Sequence, residues 1–171
     1  MSEPAGRDLH RPTWLDRGFQ VAHMAAYWLL QVYWRLWGPT THGAQVMLWC
    51  RGQVLLVRNP YLTCHSAPGG SLRHGESARA AAVRELREEV GISVAPERLV
   101  QSLEVTHDWR GKRDHVVIFC VELDERPRVR MDLREVVEAA WFDPDEVAQS
   151  NVFPPLKRAI REHVSRAGVQ P

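Results

Sequence analysis

Three glutamates within one helical turn, Glu85, Glu88 and Glu89, lie in the run GGSLRHGESARAAAVRELREEVGI from Gly69 to Ile92. At about 100° per residue, Glu88 and Glu89 fall within about 60° on either side of Glu85, while Ala82, Val83, Leu86 and Val90 cover an adjoining face. One face packs and the other presents acid. Ser77 is placed to cap this helix, its alanines favour it and Gly91 suits its left-handed end, which predicts a helix over 77–90. Three adjacent carboxylates repel one another, so the arrangement weakens the helix unless a cation sits among them. A charged run alone reads as a solvated face. Here a glycine-rich loop precedes it, carrying a further carboxylate, Glu76, eight residues before Arg84. Glycines let backbone atoms come close to a ligand. Hard oxygen donors favour magnesium or manganese over zinc, and such ions bridge to substrate phosphate.

The pattern elsewhere is mostly β. AQVMLWC and QVLLVR form a hairpin about Arg51-Gly52, and 59–68 reads as a loop. After the acidic helix come a short strand from Ile92, a turn at Pro96, a strand through LVQSLEV, and a second hairpin about Arg110-Gly111-Lys112 that leads into the interior strand VVIFCVEL. A charged loop spans 124–134, EAAWFDP gives a last strand, and 154–166 closes the chain as an amphipathic helix. Strands flanking a central helix, with another helix at the end, imply an α/β/α layering around a mixed β-sheet over residues 43–167.

Residues 1–17 are polar and broken by Pro4 and Pro12, so they read as a loose tail. The following GFQVAHMAAYWLLQVYWRLW, residues 18–37, is an amphipathic, aromatic-rich helix with Gln20, His23, Gln31 and Arg35 roughly on one stripe. Three roles stand open for its apolar face: packing on its own domain or across a homodimer, peripheral contact with a membrane, or a membrane span, which those four polar residues disfavour. Lysine plus arginine (22) nearly balances aspartate plus glutamate (21), leaving no global field that would draw the protein to nucleic acid. Cys50, Cys64 and Cys120 form no CxxC, which argues against a disulfide framework or a cysteine zinc site and favours the cytoplasm.

Gly70, Glu76, Arg84-Glu85-Leu86, Glu88-Glu89 and Gly91-Ile92 stand at every fixed position of the signature of the Nudix (MutT-like) hydrolases, and the chain therefore resembles that family. The resemblance implies the Nudix α/β/α sandwich. It also implies a Mg²⁺- or Mn²⁺-dependent hydrolase that splits a diphosphate linkage, typically in a nucleoside diphosphate derivative, by attack of a metal-activated water on phosphorus. Carried over by position, Glu85, Glu88, Glu89 and the carbonyl of Gly69 resemble the metal ligands. Gly70, Glu76, Arg84 and Gly91 resemble the residues that support the loop. Some carboxylate must take the proton of the attacking water. Glu85 or Glu89 could do so, but many relatives use a glutamate from a later loop, which here points to Glu135, ahead of Glu138.

Arg58, His65, Arg73 and Trp109 are candidates for substrate contact, with His74 and Arg113 as further cations and Trp49, Tyr61 and Phe119 as further aromatics for stacking a base. Cys64-His65 is a poor nucleophile pair, since such partners are set by spatial geometry and not adjacency. The stretch 106–110 carries neither the proline nor the tyrosine that marks some subgroups, so the diphosphate is unassigned. Two rivals remain: a Nudix-fold module that binds a nucleotide without cutting it, and a membrane-associated hydrolase of an isoprenoid or lipid diphosphate.

Overall fold

The computed structural model describes residues 13–109, 111–166 and 168. Its elements are α1 (Trp14–Trp37), β1 (Thr40–Cys50), β2 (Gln53–Arg58), β3 (Gly69–Ser71), α2 (Ala78–Val90), a 3₁₀ turn (Pro96–Arg98), β4 (Val100–Trp109), β5 (Lys112–Leu123), β6 (Glu138–Phe142), α3 (Pro144–Gln149) and α4 (Pro154–Arg166). The six strands form one mixed sheet in the order β4-β5-β1-β2-β6, with β3 also paired to β1. Only β1 and β5 run parallel among the paired strands of this sheet.

Strand alternation builds two cores, as the period of two requires. Ala44, Val46 and Leu48 of β1 turn towards Ala81, Ala82, Leu86 and Val90 of α2. Met47 and Trp49 turn the other way, onto Leu156, Ala159 and Ile160 of α4. The sheet is thus covered on both faces, giving the α/β/α sandwich. Trp49 and Phe119 belong to these cores, which removes them from the set of base-stacking candidates.

One feature of β1 places the functional loop. Its C-terminal half pairs with β2, Leu48 opposite Leu55, while its N-terminal half pairs with β3, Gln45 opposite Gly69. The two partners part where Pro68 leaves the loop, its carbonyl accepting Val46 N–H at 2.9 Å. The glycine pair is therefore a short strand and not the loop the sequence suggests. A three-residue run of glycine and serine carries no β signal of its own. Conversely, the strand expected from Ile92 is absent: Ile92 N–H donates to Leu86 O at 3.2 Å, so these residues close the end of α2. Gly91 there has φ 69°, the left-handed cap, and a Cβ on it would meet Arg130 Cβ at 2.9 Å.

The N-terminal helix begins at Trp14, four residues ahead of the expected start, so Trp14–Arg17 belong to it and not to a loose tail; residues 1–12 lie outside the described residues. Its orientation reverses one of the expectations. The polar stripe faces the domain: Gln20 Nε2 donates to Leu133 O at 2.7 Å, and His23 Nδ1 lies 3.2 Å from Arg134 O. Tyr27 and Trp34 share that stripe, with Tyr27 packed on Tyr61 at 4.6 Å and Lys112 Nζ over Trp34 at 4.6 Å. The apolar face, including Trp28, Leu29, Val32 and Leu36, points to solvent and does not pack on its own domain. No described helix is long and apolar enough to cross a membrane.

Candidate active site

The acidic turn of α2 meets β3 edge-on, and the glycine pair makes this possible. A Cβ on Gly70 would sit 2.4 Å from Glu85 Oε1, and one on Gly69 would sit 2.2 Å from Ala44 O. Glu85 and Glu89 are buried, at 8% and 3% exposure, whereas Glu88 reaches solvent. Glu89 Oε2 accepts Gly69 N–H at 2.9 Å, and its Oε1 accepts Asn59 Nδ2 at 3.3 Å. Burial pushes the Glu89 carboxyl up to about 8, with the charges of Glu85 and Glu135 adding to it against those two hydrogen bonds. Burial raises Glu85 too, with Arg84 opposing.

Arg84 is the cation that stands beside this turn. It forks onto Glu76, Nε to Oε1 at 2.8 Å and Nη2 to Oε2 at 2.9 Å, while Nη1 reaches Glu85 at 2.6 Å and Glu88 at 3.1 Å. Its Nη2 also donates to Ser71 O at 3.1 Å, tying loop to helix. The Arg84 bond, with the Arg73 N–H, holds the Glu76 carboxyl down at about 2. This geometry is a brace.

The residues fit a divalent ion in chemistry more than in present arrangement. Among the described residues no three His, Cys, Asp or Glu side chains converge on one point to hold a metal. Each glutamate is turned onto protein donors: Glu85 onto Arg84, Glu88 onto Arg84 and Arg73, Glu89 onto Gly69 and Asn59. The set is all oxygen, and its two buried members hold their protons more tightly than ordinary carboxyls because the neighbouring donors do not offset burial. A hard divalent cation is what such a set lacks.

The other candidates divide. Glu135 is exposed, yet its charge bears on Glu85, Glu89 and Tyr61, and its carbonyl accepts Asn59 Nδ2 at 2.8 Å. Glu138 in β6 accepts Arg58 Nε at 3.0 Å, with His65 Nε2 at 3.8 Å. Arg58 and His65 thus gather on Glu138, and Arg73 on Glu88 at 3.3 Å. None of the three lines the cleft beside the glycine pair. The side chain of Trp109 lies outside the described residues.

That cleft, about 310 Å³, opens on the far side of Gly69 and Gly70. It is walled by Tyr27, Leu30 and Trp34 of α1, floored by Gln45 and Val116, and edged by Tyr61 and Lys112. Tyr61 lines the cleft, and burial and then Glu89 and Glu135 hold its phenol well above the usual range. Sequence reasoning missed Asn59, which ties Glu89 to the Glu135 backbone, and missed α1 as a wall. A lone asparagine in a loop gives no local sign of partners 30 and 76 residues away.

Two outcomes follow from this geometry. Gly70→Ala drives Glu85 from its seat, so turnover should fall by about 100-fold or more, while overpacking costs only about 1–3 kcal/mol of stability. Steady-state rates beside a thermal melt check this, and wild-type turnover would show the seat to be dispensable. The second outcome concerns pH. A folded-state value raised to about 8 means that the folded chain holds the Glu89 proton more tightly than the unfolded one. Stability in chelator is therefore full below the unfolded value near about 4.3 and is lost progressively as pH rises to about 8, by up to about 5 kcal/mol, or roughly 10–20 °C in Tm. Mg²⁺ or Mn²⁺ should restore it increasingly at higher pH, because the ion binds the deprotonated carboxylate. Calorimetric melts from pH 5 to 8.5 test this, and a flat profile in chelator would contradict it.

The family model described as NUDIX domain matches residues 40–164. The NAD-capped RNA hydrolase NudC of Pseudomonas aeruginosa is 30% identical over 131 residues, 74% of this chain and 43% of NudC, so the chain spans less than half the length of that curated relative. Among solved structures, the Ap4A hydrolase of C. elegans superposes with a TM-score of 0.65 at 18% identity, covering 75% of this chain and 98% of its own. A MutT Nudix hydrolase from Burkholderia pseudomallei gives 0.62 at 20%, covering 72% and 97%. The Nudix domain of Shewanella oneidensis NrtR, complexed with ADP ribose, gives 0.65 at 19%, covering 75% and 88%. With a signature whose glycines and glutamates meet in space and a family model spanning most of its length, this chain belongs to the Nudix family.

Proposed function

We propose that this chain is a pyrophosphohydrolase that cuts a diphosphate linkage in a nucleoside diphosphate derivative with the help of Mg²⁺ or Mn²⁺. The observation that carries the reading is the pair of buried, mutually repelling carboxylates Glu85 and Glu89, seated against a glycine pair where a Cβ on Gly70 would displace Glu85 and one on Gly69 would meet the backbone of β1. A pure nucleotide binder gains nothing from that strain. The relatives support the substrate class: NudC acts on NAD-capped RNA, and the NrtR domain is complexed with ADP ribose. The catalytic unit is residues 43–167, extended back to Thr40 by β1, with α1 added to it.

In this reading Glu85, Glu88, Glu89 and the Gly69 carbonyl hold the metal. When bound, the metal polarises the phosphoryl oxygens and lowers the pKa of a coordinated water. Arg84 and Glu76 fix the glycine loop to α2 so that the carboxylates keep their places, and Gly91 ends the helix. Glu135 takes the proton from the attacking water as its oxygen bonds to phosphorus and the bridging P–O bond breaks. The carboxylate charge, without the ion, would repel the substrate.

The exposed apolar face of α1 favours a second element, contact with a membrane or with another copy of the chain at that face, in a protein of the cytoplasm. It also keeps prenyl diphosphates among the substrates to be tried. The deciding experiment is chromatographic product analysis on nucleoside triphosphates, ADP-ribose, dinucleotides, nucleotide sugars and prenyl diphosphates, with metal or chelator. Metal-dependent cleavage of a nucleotide diphosphate is the expected result. Cleavage of prenyl diphosphates alone, or of nothing, overturns the reading.

A further inference from the structure

The cleft between α1 and the sheet holds an amide that the diphosphate chemistry does not use. Gln45 lines it from β1, and its Oε1 is buried with no hydrogen-bond partner. A buried, unsatisfied amide oxygen costs about 1–3 kcal/mol, which a donor from a ligand would recover. Beside it stand aromatic rings, Tyr27 packed on Tyr61 at 4.6 Å and Trp34 edge-on to Tyr27 at 5.7 Å. Two of the three come from α1, ahead of the segment that matches the family.

We propose that this cleft is the base pocket, that α1 supplies its stacking wall, and that Gln45 selects an adenine-type base carrying an exocyclic amino group. An amide offers one acceptor and one donor side by side, which is complementary to the amino group and adjacent ring nitrogen of adenine. Guanine presents acceptors along the matching edge, and uracil has no exocyclic amino group at all. The aromatic wall adds stacking that does not depend on base identity. The glycine pair connects the two sites: Gly69 and Gly70 edge the cleft, while Gly69 N–H holds Glu89 and Gly70 abuts Glu85. A base in the cleft therefore directs its diphosphate over the glycines to the carboxylates. The inference rests on the diphosphate-hydrolase reading and names the group that its substrate carries.

The test is isothermal titration of the full chain with ADP, GDP and UDP, in parallel with diphosphate hydrolysis assays. ADP should bind about tenfold or more tightly than the other two. Gln45→Leu should erase that preference, and the near-isosteric Gln45→Glu, which keeps the shape but loses the donor, should do the same. Tyr27→Ala should weaken all three by about tenfold without changing their order. Equal binding of the three nucleotides, or an adenine preference that survives both Gln45 variants, overturns the proposal. If no nucleotide binds while a non-nucleotide diphosphate is cut, the pocket falls and the hydrolase stands. If ADP binds with the expected preference but no diphosphate is cut, the hydrolase reading falls and the pocket stands.

Discussion

Glutamine in place of Glu89 should lower turnover by about 1,000-fold or more, corresponding to a few kcal/mol of lost electrostatic stabilisation of the transition state. The substitution keeps shape and volume and removes one charge. Glu89 accepts bonds from Gly69 N–H and Asn59 Nδ2, so the glutamine oxygen can retain one of them, and the backbone of β3 has little reason to move. A rate loss of this size with the fold intact therefore reports on charge. A second readout separates metal binding from any other duty: the rise in Tm on adding Mn²⁺ should largely vanish in Glu89→Gln while it persists in Glu138→Gln, whose carboxylate faces Arg58 across the sheet edge. Retained turnover together with a retained metal-induced shift would remove Glu89 from the metal site and with it the reason for burying the residue.

How much of this was legible in the sequence depended on how local each feature is. The acidic helix, its Ser77 cap and its Gly91 end are set by neighbours within a few residues, and they stand where the pattern puts them. So do the two hairpins, since turn chemistry and alternation act at short range. Helix α3 escaped notice because six residues are too few to show a period, although Asp143 N–H donates to Glu146 Oε2 at 3.0 Å in a capping arrangement. Periodicity identified the two faces of α1 but not which of them the domain would take. Hydrophobic patterning states that a face wants a partner; it does not say that Leu133 and Arg134 carbonyls would claim Gln20 and His23 on the opposite side. The signature glutamates were found by spacing, but the link from Glu89 through Asn59 to the Glu135 backbone exists only once β2, α2 and the later loop have folded together.

That link bears on the proton acceptor. Glu135→Gln should reduce kcat by about 100- to 10,000-fold, the usual worth of a positioned general base, with KM changed little. Glu138→Gln should leave kcat within about fivefold of wild type, because its carboxylate is occupied by Arg58 at 3.0 Å. The two residues lie three apart in sequence, yet the fold separates their duties. Glu138 sits in β6, paired with Arg58 of β2 in register, whereas Glu135 lies in the loop before it, close enough for its charge to raise Glu89 and Tyr61. Helix α1 and Asn59 hold that loop from two sides, through the carbonyls of Leu133, Arg134 and Glu135. A pH profile sharpens the test: the acid limb of kcat, where the base becomes protonated, should disappear or shift in Glu135→Gln and persist in Glu138→Gln. If both variants keep near-wild-type turnover and the same acid limb, the proton goes to the helix itself, and Glu85 or Glu89 must act as base.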